Sequence, residues 1–303
     1  MNAAVNTEHD AAVSVLVPTR NRARLLPHVL QSLDAARAAA GLEVEIVVVD
    51  NGSTDDTATV LTEWAAQGRG RSWLHVAKPG RACALNQGLP HAHAPLLAFT
   101  DDDVDIPPSW IHAIATFFRE HPEYDGGMGR VHIPPAVTDP EVIERARRFH
   151  GTLPLFDAGD AVREVREMFG CNMAVRRHVF ERVGLYDERL GVGASGLCED
   201  TELSARMRRA GMRIGYMPAA VIYHTVDPSR LTPAYFRDFH LRLAQSRALF
   251  EPPEPLVRSA GRWFDAAVSF LWWGLRRDAR RRTRAWGRMI RHRETLRLRW
   301  RTE

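Results

Sequence analysis

The sequence predicts an α/β fold, a doubly wound and mainly parallel sheet flanked by helices, followed by a basic helical tail. Three observations carry this. Short apolar runs alternate with helical periodicity through residues 13–100. A cluster of polar residues follows three of those runs. Past a proline-rich break at 251–255, the composition turns to arginine and tryptophan.

Residues 13–17 and 44–49 are short runs of apolar, mostly β-branched side chains, the pattern of strands covered on both faces in a parallel sheet. Between them, residues 22–40 have helical period. A second helix over 54–67 takes Ser53 or Thr54 as its N-cap. A strand at 73–76, a short helix at 82–88 and a strand at 95–99 follow. Pro107 and Pro108 then open a helix that runs to about 118. Residues 124–133 read as a strand, and 134–159 as irregular with a helical piece near 141–149. Residues 176–183 and 200–210 are amphipathic helices, 213–216 and 220–224 strands, and 232–249 a helix. The expected organisation is one catalytic domain over 1–250, with halves at about 13–105 and 106–250, and a tryptophan-rich extension over 251–303.

Of 303 residues, 45% are hydrophobic and 26% charged, which excludes a disordered or fibrous chain. No run of eighteen apolar residues exists, so no transmembrane helix is expected. The start, MNAAVNTEHDAAV, lacks the basic and apolar regions of a secretory signal, which points to the cytoplasm. Cys83, Cys171 and Cys198 are odd in number and show no paired spacing, so neither a disulfide framework nor a zinc site is indicated. Residues 256–303 hold fourteen Arg against four acids, a net +10; the chain total of +4 leaves −6 for residues 1–255. The tail also holds five of the eight Trp. Aromatic residues among cations suit a helix lying in the headgroup region of an anionic membrane, at the inner face of the cell membrane for a cytoplasmic protein. Packing on the catalytic domain or on another subunit is the alternative. The acidic body argues against nucleic acid as a partner.

In an open parallel sheet, ligands bind beyond the carboxyl ends of the strands. Pro18, Thr19, Arg20 and Asn21 follow the first strand. Asp50, Asn51, Gly52 and Ser53 follow the second. Asp101, Asp102 and Asp103 follow the run at 95–99. All three clusters therefore share one edge. Alternate residues of an extended segment point the same way, so Asp101 and Asp103 face one ligand together. Two such carboxylates repel unless a cation lies between them, and hard oxygen ligands suit Mg²⁺ or Mn²⁺. An isolated acidic triplet is more simply a solvated turn before a helix; its place after a buried strand favours the metal. Asp50 reads as an acceptor for the N–H groups of a base or for ribose hydroxyls.

These motifs, with Gly170-Cys-Asn-Met-Ala174, the stretch 180–187 and Glu199-Asp-Thr-Glu-Leu203, resemble family 2 of the inverting glycosyltransferases, in order, over roughly 13–225. The resemblance implies a GT-A, Rossmann-like fold and a nucleotide diphosphate sugar donor, of the UDP or dTDP type by preference. It implies a hydroxyl acceptor, lipid-linked in many relatives. By that resemblance Pro18, Thr19, Arg20, Asp50, Asn51 and Ser53 surround the nucleotide, and Asp101 and Asp102 contribute to it. Lys78 and Arg81 fall where a cation stands near the nucleotide. Asp103 is the metal ligand, with Asp101 beside it. His224 is either a structural strand-end histidine or a third ligand. Asp200 is the general base, and Glu199 and Asn172 lie on the acceptor side.

Two other readings compete. A sugar nucleotidyltransferase would carry a glycine-rich loop after the first strand, which 17–21 lacks. A catalytically inactive sugar-binding scaffold would have lost the acidic triplet or the Glu199-Asp200 pair. Gly191-Val-Gly-Ala-Ser-Gly196 matches a dinucleotide fingerprint by letter, but no apolar strand precedes it, and it reads as a loop by the acceptor pocket.

Overall fold

The computed structural model describes residues 12–300, so the signal-peptide reading of 1–11 and the last three residues of the extension lie outside the described residues. The chain begins β1 (Val13–Thr19), α1 (Leu26–Ala39), β2 (Val44–Asp50), α2 (Thr57–Ala65), β3 (Arg71–His75), α3 (Arg81–Gly88), β4 (Leu96–Thr100). It continues β5 (Val104–Asp105), α4 (Trp110–Glu120), β6 (Gly126–His132), α5 (Pro140–Arg148), β7 (Asn172–Arg176), α6 (His178–Val183), α7 (Glu199–Arg209), β8 (Ile214–His224). Three helices end it: α8 (Pro233–Ala248), α9 (Leu256–Leu275) and α10 (Ala279–Arg299).

The strands form one sheet in the order β3-β2-β1-β4-β7-β6-β8-β5. The first four are parallel; β1, β2 and β4 are buried apolar runs of the kind a covered parallel sheet requires, and β3, at the edge, is half-exposed. β7 then runs antiparallel between β4 and β6. The sequence reading places no strand there, because five residues of mixed composition give too short a pattern and the pairing partner lies far back in the chain. The two strands expected at 213–216 and 220–224 are one, β8. Its register against β6 shifts between Gly129 and Arg130, opposite Pro218, which has no N–H to donate to a ladder.

The main core fills both faces of the sheet around Leu16, Ile46, Leu97, Phe99 and Trp110. A second, smaller core joins Phe149, Leu153, Leu231 and Phe236 and is closed from outside by Trp286 of α10. The Phe236 and Trp286 rings stack at 5.3 Å. Residues 256–299 thus form a helical hairpin packed on the rest of the fold through α8 and α5. Small buried residues, Ser259 and Ala266 on α9 and Thr283, Ala285 and Gly287 on α10, let the helices approach. No helix among the described residues is long and apolar enough to cross a membrane.

The two hairpin glycines give opposite expectations. A Cβ on Gly287 would lie 2.3 Å from His240 Nε2 and 2.9 Å from Phe236 Cζ, so Gly287→Ala should cost about 1–3 kcal/mol. Nothing lies within 4 Å of a Cβ on Gly261 in exposed α9, so Gly261→Ala should gain about 0.5–1 kcal/mol. Chemical denaturation of the two variants checks both signs.

Candidate active site

Parallel register sets the ends of β1 and β2 side by side, with Thr19 opposite Asp50, and β4 ends on the same edge. The three polar clusters therefore converge. Thr19 Oγ1 donates to Asp102 Oδ2 at 2.7 Å, tying the first cluster to the third. Asn21, in the left-handed region at φ 53°, ties the first to the second: its N–H donates to Ser53 Oγ at 2.8 Å and its Oδ1 accepts from Thr54 N–H at 2.8 Å. Ser53 and Thr54 are thus loop staples and not helix caps. α2 begins three residues later, behind Asp56.

Asp50 is buried. Its Oδ1 accepts from Ser53 N–H at 3.0 Å, and its Oδ2 meets His75 Nδ1 at 2.9 Å. Asn51 braces the loop ahead of α3, donating to Lys78 O and accepting from Gly80 N–H, both at 2.8 Å. Lys78 itself is exposed and pairs with Glu188, away from the acidic triplet. Pro18 is half-buried, and Arg20 is exposed on the rim.

Asp101, Asp103 and His224 each turn one donor atom into a single space, all within 4.8 Å of one another. The cause is the sheet's last pairing. β5 runs antiparallel to the end of β8 with Val104 opposite His224, and Thr225 donates through N–H (3.1 Å) and Oγ1 (2.8 Å) to Asp103 O. His224 Nδ1 lies 2.8 Å from Thr225 O, which only accepts, so Nδ1 carries the proton. Nε2 is left as the ligand atom, 3.4 Å from Asp103 Oδ1. Two carboxylates and a neutral imidazole fit a divalent cation of the Mg²⁺ or Mn²⁺ kind. Arg22, which sequence reasoning assigned only to a helix, stands 3.3 Å from Asp102 and 3.9 Å from Asp103. Its place directly after the first polar cluster was the available signal. Burial pushes the Asp102 carboxyl up to about 6, against the pull of Thr19 and Arg22.

Arg81 links the acidic triplet to the Glu199-Asp200 pair. Its side chain is only 13% exposed, and it donates at 2.7 Å to both Asp101 and Glu199. Gly170 makes the room, since a Cβ there would sit 2.6 Å from the guanidinium. Burial works against the charge of Asp101, but the guanidinium of Arg81 overcomes it and holds the carboxyl below its usual range. Asp200 opens α7 next to Glu199, behind Cys198 at φ 78°. Its oxygens accept from Gly170 N–H at 2.7 Å and Thr201 N–H at 2.6 Å. Burial first, then the charge of Glu199, push the Asp200 carboxyl up to about 7, while Arg81 and the two N–H groups oppose the rise.

The glycines at 191, 193 and 196 all have φ between 85° and 105°. A Cβ on Gly193 would meet Gly80 Cα at 2.8 Å, and Val192 O accepts from Arg81 N–H. Their spacing belongs to a loop closed over the start of α3.

Asn172 needs correcting. It is fully buried. Its Nδ2 donates to Arg130 O and Ala220 O at 2.9 Å, and its Oδ1 accepts from Trp110 Nε1 at 2.8 Å. Every hydrogen-bonding position that this amide has toward its neighbours joins β6, β8 and α4, so it is a strut of the sheet and does not face an acceptor.

This sheet, with an acidic edge where its parallel half meets its antiparallel strand, is a GT-A glycosyltransferase fold. A mannosyltransferase from Pyrobaculum calidifontis, solved with GDP-Man and Mn²⁺, superposes with a TM-score of 0.59 at 20% identity, over 98% of this chain and 89% of that one. TarS of S. aureus, residues 1–349, superposes at 0.51 and 18% identity, over 79% and 66%. The sequence profile of Glycosyl transferase family 2 matches residues 14–184, and the chain belongs to that family. It is 28% identical to the succinoglycan biosynthesis protein ExoM of Rhizobium meliloti over 228 residues, 73% of this chain and 69% of that protein. It is 37% identical over 102 residues to the undecaprenyl-phosphate 4-deoxy-4-formamido-L-arabinose transferase of Klebsiella pneumoniae, spanning 33% of this chain and 31% of that protein.

Asn172→Ala removes the partner of a buried indole N–H and of two buried carbonyls. It should lower unfolding stability by about 2–3 kcal/mol. A variant that keeps wild-type stability in denaturant melts would return Asn172 to the acceptor side.

Proposed function

We propose that this chain is an inverting glycosyltransferase, moving a sugar from a nucleotide diphosphate donor to an acceptor hydroxyl in the synthesis of a cell-surface glycan or glycolipid. The observation that carries the reading is the meeting of Asp101, Asp103 and His224 on one side of Arg81 with Glu199 and Asp200 on the other. Asp103, Asp101 and His224 would hold Mg²⁺ or Mn²⁺. When bound, such a cation neutralises charge that builds on the departing diphosphate.

The chain's own groups do the rest. Pro18, Thr19, Arg20 and Asp50 border the nucleotide, of the UDP or dTDP type. Asn51 and Ser53 act one step back by fixing the two loops. Asp200 takes the proton of the acceptor hydroxyl as that oxygen attacks the anomeric carbon. The bond to the diphosphate breaks on the opposite face, which inverts the centre, and the nucleoside diphosphate leaves. A carboxyl whose pKa lies near 7 is basic enough for that transfer. Glu199, held by Arg81, borders the acceptor. A lipid-linked acceptor is supported by the undecaprenyl-phosphate named in the Klebsiella relative, and a reaction at the inner face of the cell membrane would suit such an acceptor.

Two measurements test this. A ligand that binds only the folded state raises the melting temperature. A panel of nucleoside diphosphates with Mn²⁺ should therefore give a rise for one base that needs the metal and disappears in Asp103→Ala. No rise with any nucleotide, on folded protein, would remove the donor. Secondly, kcat/KM at saturating Mn²⁺ should climb with pH through about 7, because only ionised Asp200 accepts the proton. Glu199→Gln deletes a neighbouring negative charge that raises the Asp200 pKa, so the climb should move to lower pH. An unmoved midpoint would sink Asp200 as the base.

A further inference from the structure

α9 packs on α10 in an unusual sense. The residues it buries fully are small, Ser259 and Ala266, and Trp263, Phe270 and Trp273 are half-buried, while six other large apolar residues stand in solvent. Val257, Phe264, Val268, Leu271, Trp272 and Leu275 are between 49% and 85% exposed. On an α-helix, at about 100° per residue, these six fall within an arc of about 100°. They form one continuous stripe down a helix of 20 residues, roughly 30 Å long.

The border of the stripe is cationic. Arg258 and Arg276 lie along one flank, both exposed, and Arg277 follows at the end. Arg276 stands over the Trp272 ring at 4.8 Å, an amphipathic pair at the stripe's edge. The acid of this helix, Asp265, lies 3.7 Å from Arg288 of α10. The extension as a whole carries +10 against −6 for the rest of the chain.

We infer that α9 seats the protein on an anionic lipid surface, with the six-residue stripe among the acyl chains and the flanking arginines on the headgroup phosphates. An apolar arc of this width, with Trp in it and Arg beside it, is the make-up of a helix lying in the interface plane. A second copy of the chain is the poorer occupant. Pairing two stripes would bring two strongly cationic extensions together, and like charges across an interface cost affinity. The stripe lies outside the catalytic centre, so it stands independently of the proposed reaction.

The full chain is sedimented with vesicles of phosphatidylcholine and with vesicles of phosphatidylcholine and phosphatidylglycerol in equal parts. It should bind the anionic vesicles, less so as salt rises. The double variant Leu271→Ser/Leu275→Ser should lose roughly tenfold or more in partitioning, since each buried methylene is worth about 0.8 kcal/mol. Both side chains are exposed, so its circular dichroism should be unchanged. Asp103→Ala should bind vesicles like the wild type, which separates failure of this inference from failure of the donor site. Equal binding by wild type and double variant, or no binding to either vesicle, overturns the inference. A dimer in light scattering that the double variant abolishes assigns the stripe to a second copy and overturns it as well.

Discussion

Everything in the candidate site hangs on one buried arginine. Arg81 is enclosed by Asp101, Glu199 and Asp200, and burial alone would penalise each of those charges. The guanidinium fork answers two carboxylates at once, at 2.7 Å each, and joins groups brought from 20 and 118 residues away in the chain. Breaking such a group by removing one partner leaves uncompensated charge in the interior, typically at a cost of about 3–5 kcal/mol. The surroundings conform to it. Gly170 and Gly191 lie where a methyl group would strike Arg81 and Glu199, and Val192 O fixes the first N–H of α3.

That arrangement shows why the site was half legible in the sequence. The acidic triplet, Asp50 and the Glu199-Asp200 pair could be read because each follows a strand or opens a helix, and those positions are local properties of the chain. What each side chain holds is not local. Asn51 and Asn172 stand inside recognisable motifs, yet their amides are engaged by backbone groups of loops and strands that only the fold brings near. The same reason hid Arg22 and strand β7. The inner strands of the parallel half, β1, β2 and β4, by contrast, were visible because double burial forces nearly uninterrupted apolar runs.

His224 illustrates the intermediate case. A histidine ending an apolar strand fits a structural role and a ligand role equally well in sequence. The geometry that favours the ligand role comes from β5, two residues long and invisible to any periodicity. Its pairing with β8 brings Asp103 alongside, and Thr225 O takes the Nδ1 proton, so the ring offers Nε2 to the carboxylates. A very short strand thus sets the tautomer and the direction of a metal-type ligand.

The two helices of the extension divide its composition between two tasks. α10 is bonded to the body by specific groups: Trp286 on Phe236, Arg280 on Glu144, and Glu294 accepting from Gln245 at 2.9 Å. α9 touches mainly α10, where Arg281 and Arg282 stand over its Trp273 and Phe270 rings at 4.4 and 4.5 Å. A helix shaped only for folding would turn Phe264, Leu271 and Trp272 inward, since each large apolar side chain brought out of water contributes about 1.5–3 kcal/mol. The chain forgoes that stability along the whole stripe while its partner helix anchors the hairpin. Composition alone, +10 with five tryptophans, does not separate these tasks; the difference lies in which face of each helix carries the bulk.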